Sequence, residues 1–309
     1  MPEPLTSSGT PFRSWVSRVS GSGWGGLAFW SILIGVTVFL LISGYGAFVG
    51  ANQQNLHFAF LGGMSGFAAT ALGAVVAIAL RDIAARTQDI MLGFAAGMML
   101  AASSFSLILP GIEAAQALCD NQLLAACVVV AGLALGVALM VGLDRFVPHE
   151  HEKSGRRGPE AQRFNRVWLF VLAITLHNLP EGMAIGVSFA NGDMKVGLPL
   201  TTAIAIQDIP EGLAVALALR VTGISALRAA LIAVGSGLME PIGAIVGLGI
   251  SSSFALGYPI ALGLAAGAMI FVVSHEVIPE THRNGHETPA TLGLMLGFGV
   301  MMFLDTALG

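Results

Sequence analysis

The sequence predicts an all-α polytopic membrane protein, a bundle of about nine apolar helices, and three observations carry that expectation. Of 309 residues, 55% are hydrophobic and only 10% are charged. Soluble domains carry roughly 25% charged residues, so this chain cannot cover a water-facing surface. The mean hydropathy is +0.81. Apolar runs of about 20 residues, the length that crosses the hydrocarbon core as a helix, recur between charged or turn residues. A soluble enzyme, a nucleic-acid binder and a disordered chain are excluded, because each needs far more polar surface. The solvent is the lipid bilayer.

The runs in order are Ala28 to Val49, Leu61 to Leu80, Ile90 to Leu109, Leu123 to Leu143, Val167 to Ala190, Leu198 to Leu219, Ala226 to Ile250, Phe254 to Ser274 and Leu292 to Leu308. The first follows Arg13 and Arg18 and precedes small residues near Gly46 and Ala47, which also fits a signal peptide. Signal h-regions run about 7 to 15 residues, and this stretch is longer, which favours a retained span. With nine spans the Lys and Arg residues sort by side: thirteen, from Arg13 to Arg283, fall on one side, and only Lys195 falls on the other. The positive-inside rule then puts the N-terminus in the cytoplasm and the C-terminus outside. The chain divides into an N-terminal tail and first span (1–60), three helices (61–147), a cytoplasmic linker (148–166), a central helix pair (167–220) and three last helices (221–309).

Small features fit that frame. Cys119 and Cys127 stand about 12 Å apart if helical, too far for a disulfide, and read as packing residues. Gly-xxx-Gly pairs at Gly62/Gly66, Gly93/Gly97, Gly132/Gly136, Gly243/Gly247 and Gly263/Gly267 predict close helix contacts.

The acids are harder to place in lipid. Glu181, Asp208, Glu211 and Glu240 lie well inside spans, whereas every Lys and Arg lies outside or at a span end. An ionised carboxylate at mid-bilayer costs a few kcal/mol or more unless it faces a cavity or a partner. Either the acids are protonated helix glue, or the missing positive charge is the substrate. Their arrangement favours the second reading. His177-Asn178-Leu179-Pro180-Glu181-Gly182 and Gln207-Asp208-Ile209-Pro210-Glu211-Gly212 follow one template of two polar residues, an apolar one, then Pro-Glu-Gly. His177/Glu181 and Gln207/Glu211 are four apart and share a face, and Asn178/Glu181 and Asp208/Glu211 share the adjacent one. The two helices are antiparallel and each wedge lies about nine or ten residues into its span, so at about 1.5 Å per residue both sit near mid-membrane. Pro180 and Pro210 free the carbonyls of Leu176 and Ile206, which lipid tolerates where they line a wet or ion-filled cavity. Glu240-Pro241 repeats the pairing on the next span. Imidazole, carboxylate and amide oxygen together suit a borderline divalent ion such as Zn²⁺, Fe²⁺, Mn²⁺, Co²⁺ or Cd²⁺ better than K⁺ or Na⁺.

Two Pro-Glu-Gly motifs on successive helices with Glu-Pro on the third resemble the ZIP (Zrt/Irt-like) family of divalent metal transporters, particularly its bacterial members. The resemblance covers the chain from about Leu61 onward. It implies eight ZIP-like helices, with the motif pair as fourth and fifth and the first span as an addition. It also implies metal uptake toward the cytoplasm across the bacterial inner membrane, a binuclear centre and a homodimer. Carried onto matching positions, it implies one site of His177, Glu181, Gln207 and Glu211. A second would comprise Asn178, Asp208 and Glu240, with Glu181 and Glu211 bridging. Many relatives have His where this chain has Gln207; an amide oxygen is a poorer zinc ligand, so exclusive zinc selectivity is not expected.

Further candidate ligands lie outside the motifs. His275, Glu276 and Glu280, at the cytoplasmic end of the eighth span, suit an exit-side metal station or simply a solvated helix end. His149 and His151 suit cytoplasmic metal binding or a charged solvated loop. Met99, near mid-span, offers a thioether, with core packing the plainer reading. Two other functions remain open at this stage. A proton-coupled cation exchanger would use the same acids. An intramembrane metalloprotease would need His-Glu-x-x-His, which His275-Glu276-Val277-Ile278-Pro279 does not complete, and a phosphatase would need a buried Arg or Lys.

Overall fold

The protein's architecture, seen in a computed structural model, is described for residues 52–80, 83–146, 149–151, 155–157, 166–221 and 223–308. The expected first span, Ala28 to Val49, and its signal-peptide alternative lie outside these residues. Helix α1 (Gln53–Ala79) starts well before Leu61 because Asn52 caps it, its side chain accepting the Gln54 N–H at 3.1 Å. The Asn55 amide then donates to the Ala190 carbonyl at 2.7 Å and ties this end to the fifth span. Helix α2 (Ala85–Ala101) passes through a π turn (Ala102–Ile108) into α3 (Leu109–Gln116), and α4 (Gln122–Phe146) follows.

The linker is not wholly loop. Strands β1 (His149–His151) and β2 (Gly155–Arg157) form an antiparallel hairpin with His149 opposite Arg157 and Glu150 opposite Arg156. Then come α5 (Arg166–Ser188), α6 (Met194–Val221), α7 (Ala226–Gly237), α8 (Met239–Ser251), α9 (Gly257–Val272), a second π turn (Val273–Val277), α10 (Ile278–Thr281) and α11 (Glu287–Leu308). Seven of the described helical segments are long and apolar enough to cross a membrane. With the 23-residue α5, every span expected from Leu61 onward has its helix.

Prolines shape the irregularities. The span expected as continuous from Ala226 to Ile250 is broken at Leu238, three residues before Pro241. Pro241 has no N–H for the Gly237 carbonyl and its ring crowds it, so the chain turns there. Each π turn ends just before a proline, Pro110 or Pro279. Leu109 N–H reaches back to the Ser104 carbonyl and Ile278 N–H to that of Val273, a five-residue step that makes room for the ring. In α5 and α6, by contrast, the helix runs on through Pro180 and Pro210.

The helices pack most extensively in four pairs, α1 with α6, α2 with α11, α4 with α9 and α5 with α8. Glycines make these contacts main chain to main chain. A methyl added to Gly97 would meet the Leu294 carbonyl, and one on Gly297 the Phe94 carbonyl. Gly136 lies against Leu264 and Gly267 against Leu133; Gly186 lies against Ala244 and Gly247 against Met183. Four of the five spaced glycine pairs, Gly93/Gly97, Gly132/Gly136, Gly243/Gly247 and Gly263/Gly267, therefore serve the close main-chain approach expected of them. Between the pairs lies a core rich in alanine, methionine and leucine, including Met98, Met99, Ile185, Leu200, Ile204, Leu262 and Met269.

Candidate metal site

Three helices carry the motif acids to one place. On α5 the His177 to Gly182 segment puts Glu181 inward, 1% exposed. On α6 the Gln207 to Gly212 segment buries Gln207 and Asp208 and half-buries Glu211. Ligand oxygens of Glu181, Asp208 and Glu211 lie within 4.8 Å of one another. Glu240 enters from the first turn of α8, fully buried, just after the break that Pro241 imposes. Asp208 and Glu240 face each other within hydrogen-bonding reach, a contact that only a shared proton or a cation makes attractive.

The amides and hydroxyls around the acids have assigned partners. Gln207 Nε2 donates to Glu181 Oε1 at 2.8 Å. Asn178 Nδ2 donates to Glu240 Oε1 at a long 3.4 Å, and the Thr70 hydroxyl donates to the same oxygen at 2.7 Å. Four oxygens remain buried without a donor: Gln207 Oε1, Asp208 Oδ2, Glu211 Oε1 and Glu240 Oε2. Among the described residues no Lys or Arg pairs with any of the four acids. Buried acceptors in this number are suited to a cation, because each costs about 1–3 kcal/mol when unmatched. Close approach of the surrounding backbone makes the cluster dense. Gly182 packs on the Glu240 main chain, Gly212 on the Thr70 carbonyl, and a methyl on Gly66 would fall on Glu240 Oε2.

The His177 imidazole lies within electrostatic reach of both Glu181 and Glu211. His177 Nε2 contacts Glu276 Oε2 at 2.9 Å, so the histidine joins the motif cluster to the second π turn. Of the three residues read as an exit station, Glu276 thus turns inward. His275 is exposed and stacks on Phe271, ring centroids 5.0 Å apart, and Glu280 is exposed and pairs with Arg283 at 2.8 Å. Met99 is buried in the main core, its carbonyl accepting the Ser103 hydroxyl at 2.8 Å. His149 and His151 lie on β1, with side chains outside the described set.

Three polar contacts were not found in the sequence. Thr70 is one, a hydroxyl on an otherwise apolar helix face one turn after Gly66. Asp89, 3% exposed, accepts from Asn284 at 3.1 Å and sits 2.8 Å from His286 Nδ1, joining the start of α2 to the turn before α11. Asp305 accepts the Ser106 hydroxyl at 2.7 Å, from the first π turn. In each case the acid's partner comes from a distant segment, and only the oddity of the polar residue itself was visible.

Known proteins resemble this sequence. A family pattern described as "ZIP Zinc transporter" matches residues 147–305. A zinc transporter ZIPB of Bordetella bronchiseptica is 70% identical over 273 residues, covering 88% of each chain. A zinc transporter GufA of Myxococcus xanthus is 44% identical over 78% of this chain and 95% of its own. A human zinc transporter ZIP11 is 32% identical over 81% of this chain and 97% of its own. With the paired motifs, the buried carboxylates and the helical bundle in place, the chain belongs to the ZIP family of metal transporters.

Proposed function

We propose that the buried carboxylate cluster is the site through which this transporter passes divalent transition metal ions, among them Zn²⁺ and Cd²⁺, with Fe²⁺ and Mn²⁺ as further candidates. Membership of the family makes the chain a multi-pass membrane transporter and not an intramembrane metalloenzyme. The observation that carries the site is the surplus of acceptors: four acids on α5, α6 and α8 that pair with no Lys or Arg among the described residues and leave buried oxygens without a donor. A divalent ion supplies the charge that the chain withholds.

His177, Glu181, Gln207 and Glu211 serve one ion and Asn178, Asp208 and Glu240 a second, with Glu181 and Glu211 bridging. Gln207 already keeps Oε1 without a donor, so a turn of its amide presents an oxygen ligand. His177, within reach of the charges of Glu181 and Glu211, also contacts Glu276, which favours a step toward the end of the span where His275 and Glu280 are exposed. Weak successive ligands of that kind let an ion leave a tighter site.

Orientation follows from charge. Thirteen of fourteen Lys and Arg lie on the side assigned to the cytoplasm, with the N-terminus inside and the C-terminus outside the bacterial inner membrane. The working form is a homodimer, and residues 167–220 form the motif-bearing unit between segments 61–147 and 221–309. The test is flux. Purified protein in liposomes is expected to admit Zn²⁺ or Cd²⁺, and the Glu181→Ala/Glu211→Ala variant to admit neither; equal uptake by that variant overturns the site.

A further inference from the structure

Most helical hydroxyls here bond their own chain. Ser103, Ser104 and Ser251 donate to the carbonyl four or three residues back, the local habit of Ser and Thr in helices. Thr70 departs from it. Its hydroxyl crosses from α1 to Glu240 Oε1 on α8 at 2.7 Å, a short bond. The other donor to that oxygen, Asn178, stands at 3.4 Å, near the limit of a hydrogen bond. Thr70 is 5% exposed.

Packing fixes the direction of this hydroxyl. A methyl on Gly237, in the last turn of α7, would lie 3.2 Å from both Cβ and Cγ2 of Thr70, so the threonine methyl is held against that turn. The Thr70 carbonyl lies on Gly212 of the second motif. Pinned on both sides, the β-branched side chain has its χ1 set, and the hydroxyl faces Glu240. Glu240 Oε2 is then left without a donor, over Gly66 and beside Asp208 Oδ2.

We propose that Thr70 is a positioning residue of the transport site, holding one oxygen of Glu240 so that the other faces Asp208 and the ion. The proposal rests on the reading of Glu240 as a ligand given above. Without the hydroxyl, the only donor left to Glu240 is the long bond from Asn178, and its carboxylate is held less firmly. Thr70 touches no metal in this account and acts through Glu240 alone.

The test is initial-rate Zn²⁺ uptake by the full-length protein in liposomes, for wild type, Thr70→Val, Thr70→Ala, Thr70→Ser and the Glu181→Ala/Glu211→Ala variant. Loss of a hydrogen bond to a charged group is expected to raise KM about tenfold in Thr70→Val and Thr70→Ala. Maximal rate is expected to stay within about twofold, and Thr70→Ser to restore KM to within about twofold, since the donor alone is required. Thr70→Ala adds no bulk and reports on the donor should Thr70→Val fail to fold. Wild-type KM in the donorless variants overturns the proposal, as does Thr70→Ser impaired as badly as Thr70→Ala. Uptake by the double glutamate variant overturns the site itself; its loss alongside a silent Thr70 overturns only the role of the threonine.

Discussion

Gly66 and Glu240 show how little room the site leaves a single atom. An alanine at 66 would put its methyl on Glu240 Oε2 and 3.1 Å from Asp208 Oδ2. The Glu240 side chain is flexible and would swing away, so Gly66→Ala is expected to leave the fold intact, to cost about 1–3 kcal/mol of stability at most, and to cut Zn²⁺ uptake sharply. Thermal unfolding and liposome flux on the same preparation check both halves. Asp89 makes the opposite case. Asp89→Ala removes the acceptor for Asn284 and His286 at a buried position and is expected to lower stability by about 1–3 kcal/mol, read as a fall in Tm. At this scale the motif residues were legible because their types and spacing are improbable in lipid. Thr70 was not, nor was the contact of the candidate ligand Glu276 with His177, because these partners come from segments far apart along the chain, and an isolated threonine or a helix-end glutamate has an ordinary explanation.

Among the elements, the break at Leu238 matters most to the site, because it starts α8 at the turn bearing Glu240. Replacing Pro241 by alanine restores an N–H for the Gly237 carbonyl and removes the ring clash. Pro241→Ala is expected to close the break, to hold or raise Tm, and to lower uptake as Glu240 is drawn off its partners. A fall in Tm together with unchanged uptake would contradict this account of the break. The order and number of spans from Leu61 onward were readable from apolar runs, which lipid enforces strictly. Their ends were not: Asn52 caps α1 ahead of its apolar run, and α10 carries the ninth run's predecessor past Ser274 to Thr281. Nor were the π turns, which depend on how the chain ahead of Pro110 and Pro279 accommodates the rings. Both turns supply a polar contact, Ser106 to Asp305 and Glu276 to His177.

For the whole molecule the decisive pattern is the sidedness of charge. A cysteine placed at Lys195 is expected to react with a membrane-impermeant maleimide in intact cells, and one at Arg283 only after lysis. The background is Cys119→Ser/Cys127→Ser, since both native cysteines are free thiols. The reverse result would invert the topology. Fold class was legible at this scale from composition alone, while the way the helices seat on one another was only hinted at by the spaced glycines. Those seats have a consequence for how the sequence changes over evolutionary time. Where backbone lies on backbone, as at Gly97, Gly136 and Gly186, no other side chain fits, whereas Leu292, Met295, Leu296 and Phe303 on α11 are exposed on its outer face. Drift among relatives should therefore run freely over that outer face and halt at the glycines. An unchanging glycine is then expected to mark the meeting of two main chains.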